Sequence, residues 1–210
     1  MRRIAVDNNV LVQLVGIDKA VNHFLENGYH LDEIRPNMVL NTNALKLSNS
    51  RALFNLYKLI VNKKLCLAIL PTVLMESFTI PNYEAVAYRK NNLTIFLHSH
   101  CYDFVIFSDT EKHFIEELTN RFMNSDQPAF SPNRKPHHAS NDARIMAEAM
   151  FAGVDILTFD SDFHRITRIS EIAHEMIPEL EGYVIPNFNP NVEPIRPNNY
   201  VSSKMTELEF

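Results

Sequence analysis

The stretch from Asn141 to Phe163, NDARIMAEAMFAGVDILTFDSDF, constrains the fold more than any other part of this chain. Alanine and methionine recur through its first half at helical spacing, Gly153 interrupts them, and an apolar run from Val154 to Phe159 follows. A helix that turns at a glycine into a buried strand belongs to α/β sheets with parallel strands. Ser140 reads as the N-cap, which puts Asp142 in the first helical turn, where the dipole favours a carboxylate. Asp160 then ends the strand, at the edge of an open α/β sheet where ligands bind. Taken singly, Asp142 reads equally as a capping acid and Asp160 as a turn residue.

The alternation continues along the chain. Arg3 to Val6, Leu65 to Leu70, Asp103 to Phe107, Val154 to Phe159 and Tyr183 to Ile185 read as strands. Between them lie helical patterns: Asp18 to Glu26 with Asp18 as cap and Gly28 as stop, and a helix capped by Ser50. Others start at Pro71, run from Tyr83 to Leu97, from Glu111 to Met123 behind Ser108 and Asp109, and from Ile166 to Met176. The expected fold is a three-layer α/β/α sandwich around a mostly parallel sheet of about five strands. Residues 1–185 would form the domain, and 186–210, rich in proline and asparagine, an irregular arm.

A chain of 210 residues, 46% hydrophobic, fits one domain with a sizeable core. The formal charge of −5 excludes a uniformly basic surface, so a nucleic-acid partner would need a local basic patch. Residues 124–139, NSDQPAFSPNRKPHHA, supply one as a surface loop: Arg134, Lys135 and His137 could contact phosphates, or form a solvated basic loop. The pair His137 and His138 lacks companions at zinc-ligand spacing. Two cysteines, Cys66 and Cys101, suit a reducing compartment, and Cys66 reads as core. Arg2 and Arg3 precede an apolar stretch that Asp7, Asn8 and Asn9 break at once, so no export signal is expected. The longest apolar run, Leu65 to Met75, contains Pro71 and falls short of the ~20 residues that span a bilayer. These features predict a cytoplasmic protein that does not enter the membrane.

Asp7 ends the first strand, and Glu76 sits a turn into its helix among Val73, Leu74, Met75 and Phe78. Glu is seldom buried without a partner, so its apolar setting reads either as function or as an ordinary solvent-facing position. In a parallel sheet Asp7, Glu76, Asp142 and Asp160 all fall at strand ends or helix starts on one edge. Carboxylates ~4 Å apart repel by several kcal/mol at intermediate dielectric, so such a cluster needs protons or a cation. An all-oxygen set favours Mg²⁺ or Mn²⁺, which lower the pKa of water and stabilise charge on a phosphoryl centre.

The blocks IAVDNNVL, LPTVLMESF and SNDARIMAEAMFAGVDILTFDSDF, in that order, resemble the PIN-domain nucleases from about Ile4 to Phe163. By that resemblance Asp7, Glu76, Asp142 and Asp160 are the catalytic, metal-binding acids, and Asp162 is a further metal-binding acid of the terminal motif. Asn9 and Thr158 stand at the supporting polar positions. The resemblance implies an Mg²⁺- or Mn²⁺-dependent endoribonuclease hydrolysing RNA phosphodiesters. Many of that family are toxins held by a small antitoxin protein, and a second copy of the chain, forming a homodimer, is a further candidate partner. The chain is longer than the compact toxins, with added residues around 29–49, 124–139 and at the C-terminus. Two other readings stand beside it. One is a PIN-fold module that binds RNA or protein without turnover. The other is a phosphatase using Asp160-Ser161-Asp162 as a nucleophilic motif of the haloacid-dehalogenase type, for which the motif lies far from the N-terminus.

Overall fold

A computed structural model describes residues 1–39, 47–79, 83–100, 102–125, 136–163, 166 and 168–208. In chain order the elements are β1 (Arg2–Val6), α1 (Asn8–Glu26), α2 (Pro36–Val39), α3 (Leu47–Val61), β2 (Leu65–Ile69) and α4 (Pro71–Phe78). They continue as α5 (Tyr83–Ser99), β3 (Tyr102–Phe104), α6 (Asp109–Met123), α7 (Pro136–Ala152) and β4 (Ile156–Leu157). The chain ends with α8 (Arg168–Glu175), α9 (Ile177–Leu180), β5 (Pro194–Ile195) and α10 (Pro197–Leu208).

The five strands form one all-parallel sheet in the order β3-β2-β1-β4-β5, with helices covering it as a three-layer α/β/α sandwich. All five residues of β2 are buried, as a strand covered on both faces requires. Helices α1, α3, α5 and α10 pack on one another, and α6, α7 and α8 form a second group. Among the described residues no helix is long and apolar enough to cross a membrane.

The first strand enters at the centre of the sheet. The chain then adds β2 and β3 on one side and β4 and β5 on the other. The order therefore reverses between β1 and β4, and at such a reversal the crossovers diverge and leave a crevice outside the strands' carboxyl ends. Asp7 follows β1 directly, and its backbone N–H donates to the Leu157 carbonyl of β4 at 3.0 Å. Helix α7 delivers the chain into β4 through Gly153 (φ +64°). The Val154 N–H reaches back to the Ala149 carbonyl at 3.1 Å and closes the helix end.

Several local expectations are corrected, among them Ser50, which is a buried residue inside α3 and not its cap. The first helix starts at Asn8, because the Asp7 side chain caps it and Val10, Leu11, Leu14, Ile17 and Val21 form one continuous buried stripe. Asp18 is consequently not a cap but a buried mid-helix residue. Its carboxylate accepts from the Tyr57 hydroxyl at 2.9 Å and Asn22 Nδ2 at 3.2 Å, and meets His100 Nε2 at 2.5 Å. Helix α7 begins at Pro136, four residues before the expected cap Ser140, since proline is well suited to a first helical turn. The last strand is Pro194–Ile195 instead of Tyr183–Ile185. Tyr183 and Val184 are exposed, and they follow Gly182 at φ +94°. Proline is tolerated in β5 because this edge strand offers β4 its carbonyls: Ile156 N–H donates to Glu193 O and Thr158 N–H to Ile195 O. Residues 186–210, expected as an irregular arm, thus carry an edge strand and a helix, with Val192, Tyr200 and Val201 buried. Ser108 caps α6 as expected, in a reciprocal capping box with Glu111.

Candidate functional site

Asp7 is 3% exposed, and both carboxylate oxygens are engaged. Oδ1 accepts from the Val10 N–H at 2.7 Å, and Oδ2 from the Thr158 hydroxyl at 2.5 Å. The buried Thr158 in turn accepts from the Asp160 N–H at 2.9 Å, and Asp160 Oδ1 accepts from the Asp162 N–H at 2.9 Å. One hydrogen-bonded chain thus ties the end of β1 to the DSD turn after β4. The sequence spacing of Asp7 and Thr158, 151 residues, gives no hint of this contact, which parallel pairing of β1 with β4 creates.

Burial raises the Asp7 carboxyl from its ordinary 3.8 to about 6. The bonds from Thr158 and Val10 oppose that rise, while the charges of Asp160 and Glu76 add to it. Asp7 therefore lies close enough to Glu76 and to Asp160 to feel the charge of each. Glu76 is half-buried on α4, and its Oε1 accepts from Asn141 Nδ2 of α7 at 2.7 Å. Asp142, the next residue, is buried in the second turn of α7 and not in its first. Asp162, itself part of the turn, is buried. Among the described residues no three His, Cys, Asp or Glu side chains close into a preformed metal-ligand set. Glu76 and Asp160 are thus the acids that act on Asp7 at Coulombic range.

Asn9 is exposed in the first turn of α1, whereas its neighbour Asn8 is engaged: Asn8 Oδ1 accepts from the Ser77 hydroxyl of α4 at 2.8 Å. Arg134 and Lys135 lie outside the described residues, as does Cys101. His137 belongs to the first turn of α7, and its side chain is not described. Sequence reasoning passed over Asn8, Ser77 and Asn141, which are ordinary polar residues in the sequence and acquire roles only through partners at least 65 residues away. It also passed over Glu148, which is buried on α7 and bonded to Thr72 of α4. An acid between Ala147 and Ala149 carries the same signal that singled out Glu76.

No family model, no curated protein and no solved structure matches the chain.

Proposed function

We propose that this protein is a metal-dependent nuclease of the PIN type that hydrolyses RNA phosphodiester bonds at the carboxyl ends of β1 and β4. The observation that carries the reading is the meeting of Asp7, Glu76 and Asp160 at the sheet's reversal point, with Asp7 buried and its carboxyl raised to about 6. Burying a carboxylate beside two others disfavours the charged form, and a divalent cation is the compensation that preserves all three charges. The donors are oxygens alone, which fits Mg²⁺ or Mn²⁺ better than zinc.

Asp7, Asp160 and Asp142 would hold the ion, with Glu76 binding beside them and Asp162 supporting the turn. When bound, the cation would supply a water of lowered pKa and stabilise charge gathering on the phosphoryl oxygens. Thr158 fixes the Asp7 carboxylate, and Asn141 fixes Glu76, so that neither must reorganise when substrate arrives. Glu76, half-buried at the site's rim, is the candidate to accept a proton from the attacking water. Arg134, Lys135 and His137 would contact the RNA backbone, setting affinity and salt dependence without reading sequence. A toxin role, an antitoxin partner, a homodimer and a cytoplasmic location rest on the resemblance and the composition.

The test is cleavage of end-labelled RNA in Mn²⁺ by the wild type and Asp142→Asn. The variant should retain its far-UV spectrum and lose at least ~10²-fold in rate, in line with deleting a preorganised electrostatic group. EDTA should silence the wild type. Full activity of Asp142→Asn, or of the wild type in excess EDTA, refutes the metal reading.

A further inference from the structure

Helix α4 is two turns long and poorly equipped to hold its own start. Its N-cap is Leu70, which contributes no side-chain hydrogen bond, and Pro71 follows. The Thr72 N–H is one of the donors that a helix leaves without an intrahelical partner. Helix α7 supplies the acceptor from 76 residues away: Glu148 Oε2 accepts from the Thr72 N–H at 3.0 Å, and Oε1 from the Thr72 hydroxyl at 2.6 Å. Glu148 is 2% exposed, and Arg144 Nε lies 3.5 Å from its Oε1. A carboxylate at that place also meets the positive end of the α4 dipole.

The same two helices are fastened a second time, by Asn141 to Glu76. Thr72 and Glu76 are four residues apart on α4, and Asn141 and Glu148 seven apart on α7. Each pair therefore lies along one face of its helix. With two fasteners, α4 can neither roll nor slide on α7, whereas the Asn141 bond alone would leave it a pivot. Carrying a buried charge for this purpose is costly, since burial raises the Glu148 carboxyl above its ordinary value despite the bonds from Thr72 and Arg144.

We infer that Glu148 is a positioning residue: by holding the N-terminus of α4 it sets where the Glu76 carboxylate stands relative to Asp7 and Asp160. The role rests on the nuclease reading. It requires that fastening α4 matter to cation affinity and turnover, beyond its contribution to stability.

The experiment compares wild type, Glu148→Met, Glu148→Gln and Thr72→Val. Mn²⁺ affinity is read by electron paramagnetic resonance without RNA, kcat and KM on a labelled RNA, and melting in EDTA. In Glu148→Met, Mn²⁺ affinity and kcat should each fall by about 10- to 100-fold, the range for groups that orient ligands without touching the metal. KM for RNA should stay within about twofold, because Arg134, Lys135 and His137, the proposed backbone contacts, are left unchanged. Glu148→Gln should recover most of the loss, its Oε1 accepting from the Thr72 N–H and its Nε2 donating to Thr72 Oγ1. A folded Glu148→Met protein with wild-type Mn²⁺ affinity and kcat overturns the inference. If Glu148→Met does not fold, Thr72→Val decides: it deletes one of the two bonds and should weaken Mn²⁺ binding in the same direction, and wild-type values overturn the inference. A wild type that neither binds Mn²⁺ nor cuts RNA defeats the nuclease reading itself, and the positioning role with it.

Discussion

Replacing Asp7 by asparagine should make the metal-free protein more stable at neutral pH while removing the proposed nuclease activity. The ordinary carboxyl value of 3.8 describes Asp7 in the unfolded chain, and the folded value is about 6. At about 1.36 kcal/mol per pH unit, that difference means the ionised side chain costs the fold about 3 kcal/mol. The sign follows from proton linkage. With its folded value raised, Asp7 gives its most favourable contribution below pH 3.8, where it is protonated in both states. That contribution is lost as pH rises through about 6.

Asparagine carries no charge and can still cap α1 by accepting from the Val10 N–H. Its amide N–H₂ would face the Thr158 hydroxyl, which now donates to Asp7 and accepts from the Asp160 N–H. That hydroxyl would have to accept twice and lose its own acceptor, at a cost of about 1 kcal/mol. The net gain at pH 7.5 is about 2 kcal/mol, or about 4–8 °C in Tm for a domain of this size. About 2 of the 3 kcal/mol vanish between pH 7.5 and 4.5, so the advantage should close near the acid end. Urea unfolding of both proteins in EDTA at pH 4.5, 6 and 7.5 measures this, and the difference between them cancels the titrating groups that are not coupled to Asp7. Saturating Mn²⁺ should reverse the order, since ~100 Kd of a ligand adds about 2.7 kcal/mol to the protein that binds it. An Asp7→Asn protein less stable than wild type at pH 7.5, or with a pH-independent difference, would refute the account of a strained carboxylate.

Two further outcomes follow from the fold. Tyr57→Phe removes one of three partners from the buried Asp18 carboxylate and should cost about 1–2 kcal/mol in chemical denaturation. A change under ~0.5 kcal/mol would mean that His100 and Asn22 suffice. A chain ending at Ile185 loses β5 and α10, which bares the edge of β4 and the face of α3 that α10 covers. It should be insoluble or aggregate on expression, and a monomeric truncation with a cooperative melt would show that residues 186–210 are dispensable.

The parts of this molecule that were legible in the sequence are those fixed by neighbours in the chain. Strand β2 announces itself as a run of five apolar residues, and Gly153 as a break between helix and strand periods. Ser108 and Glu111 announce a cap because the box closes within four residues. Asp7 and Asp160 were visible because acids at strand ends are conspicuous against apolar runs. What could not be read are bonds whose two halves lie far apart. Asp18 looks like a cap until Tyr57 and His100, 39 and 82 residues on, close over it. Tyr183-Val184-Ile185 has better strand chemistry than Pro194-Ile195. Yet the edge of β4 needs only two carbonyls, which Glu193 and Ile195 can give and for which proline is no obstacle.

The same distinction divides the candidate site. Its acids were chosen by local pattern, but their placement depends on bonds between groups far apart in the chain: Thr158 on Asp7, Asn141 on Glu76, Glu148 on Thr72. Each of these three bonds joins elements that the parallel topology brings together, and each holds an acid or the helix bearing one. Any substitution among them should therefore move stability and cation affinity by different amounts. Substituting an acid itself should relieve repulsion and abolish binding at once. That divergence, in which losing a ligand stabilises the fold and losing its support does not, is what the proposed gathering of like charges for a cation predicts. A capping or turn role for the same acids gives the opposite result, because their removal would then cost stability in every buffer.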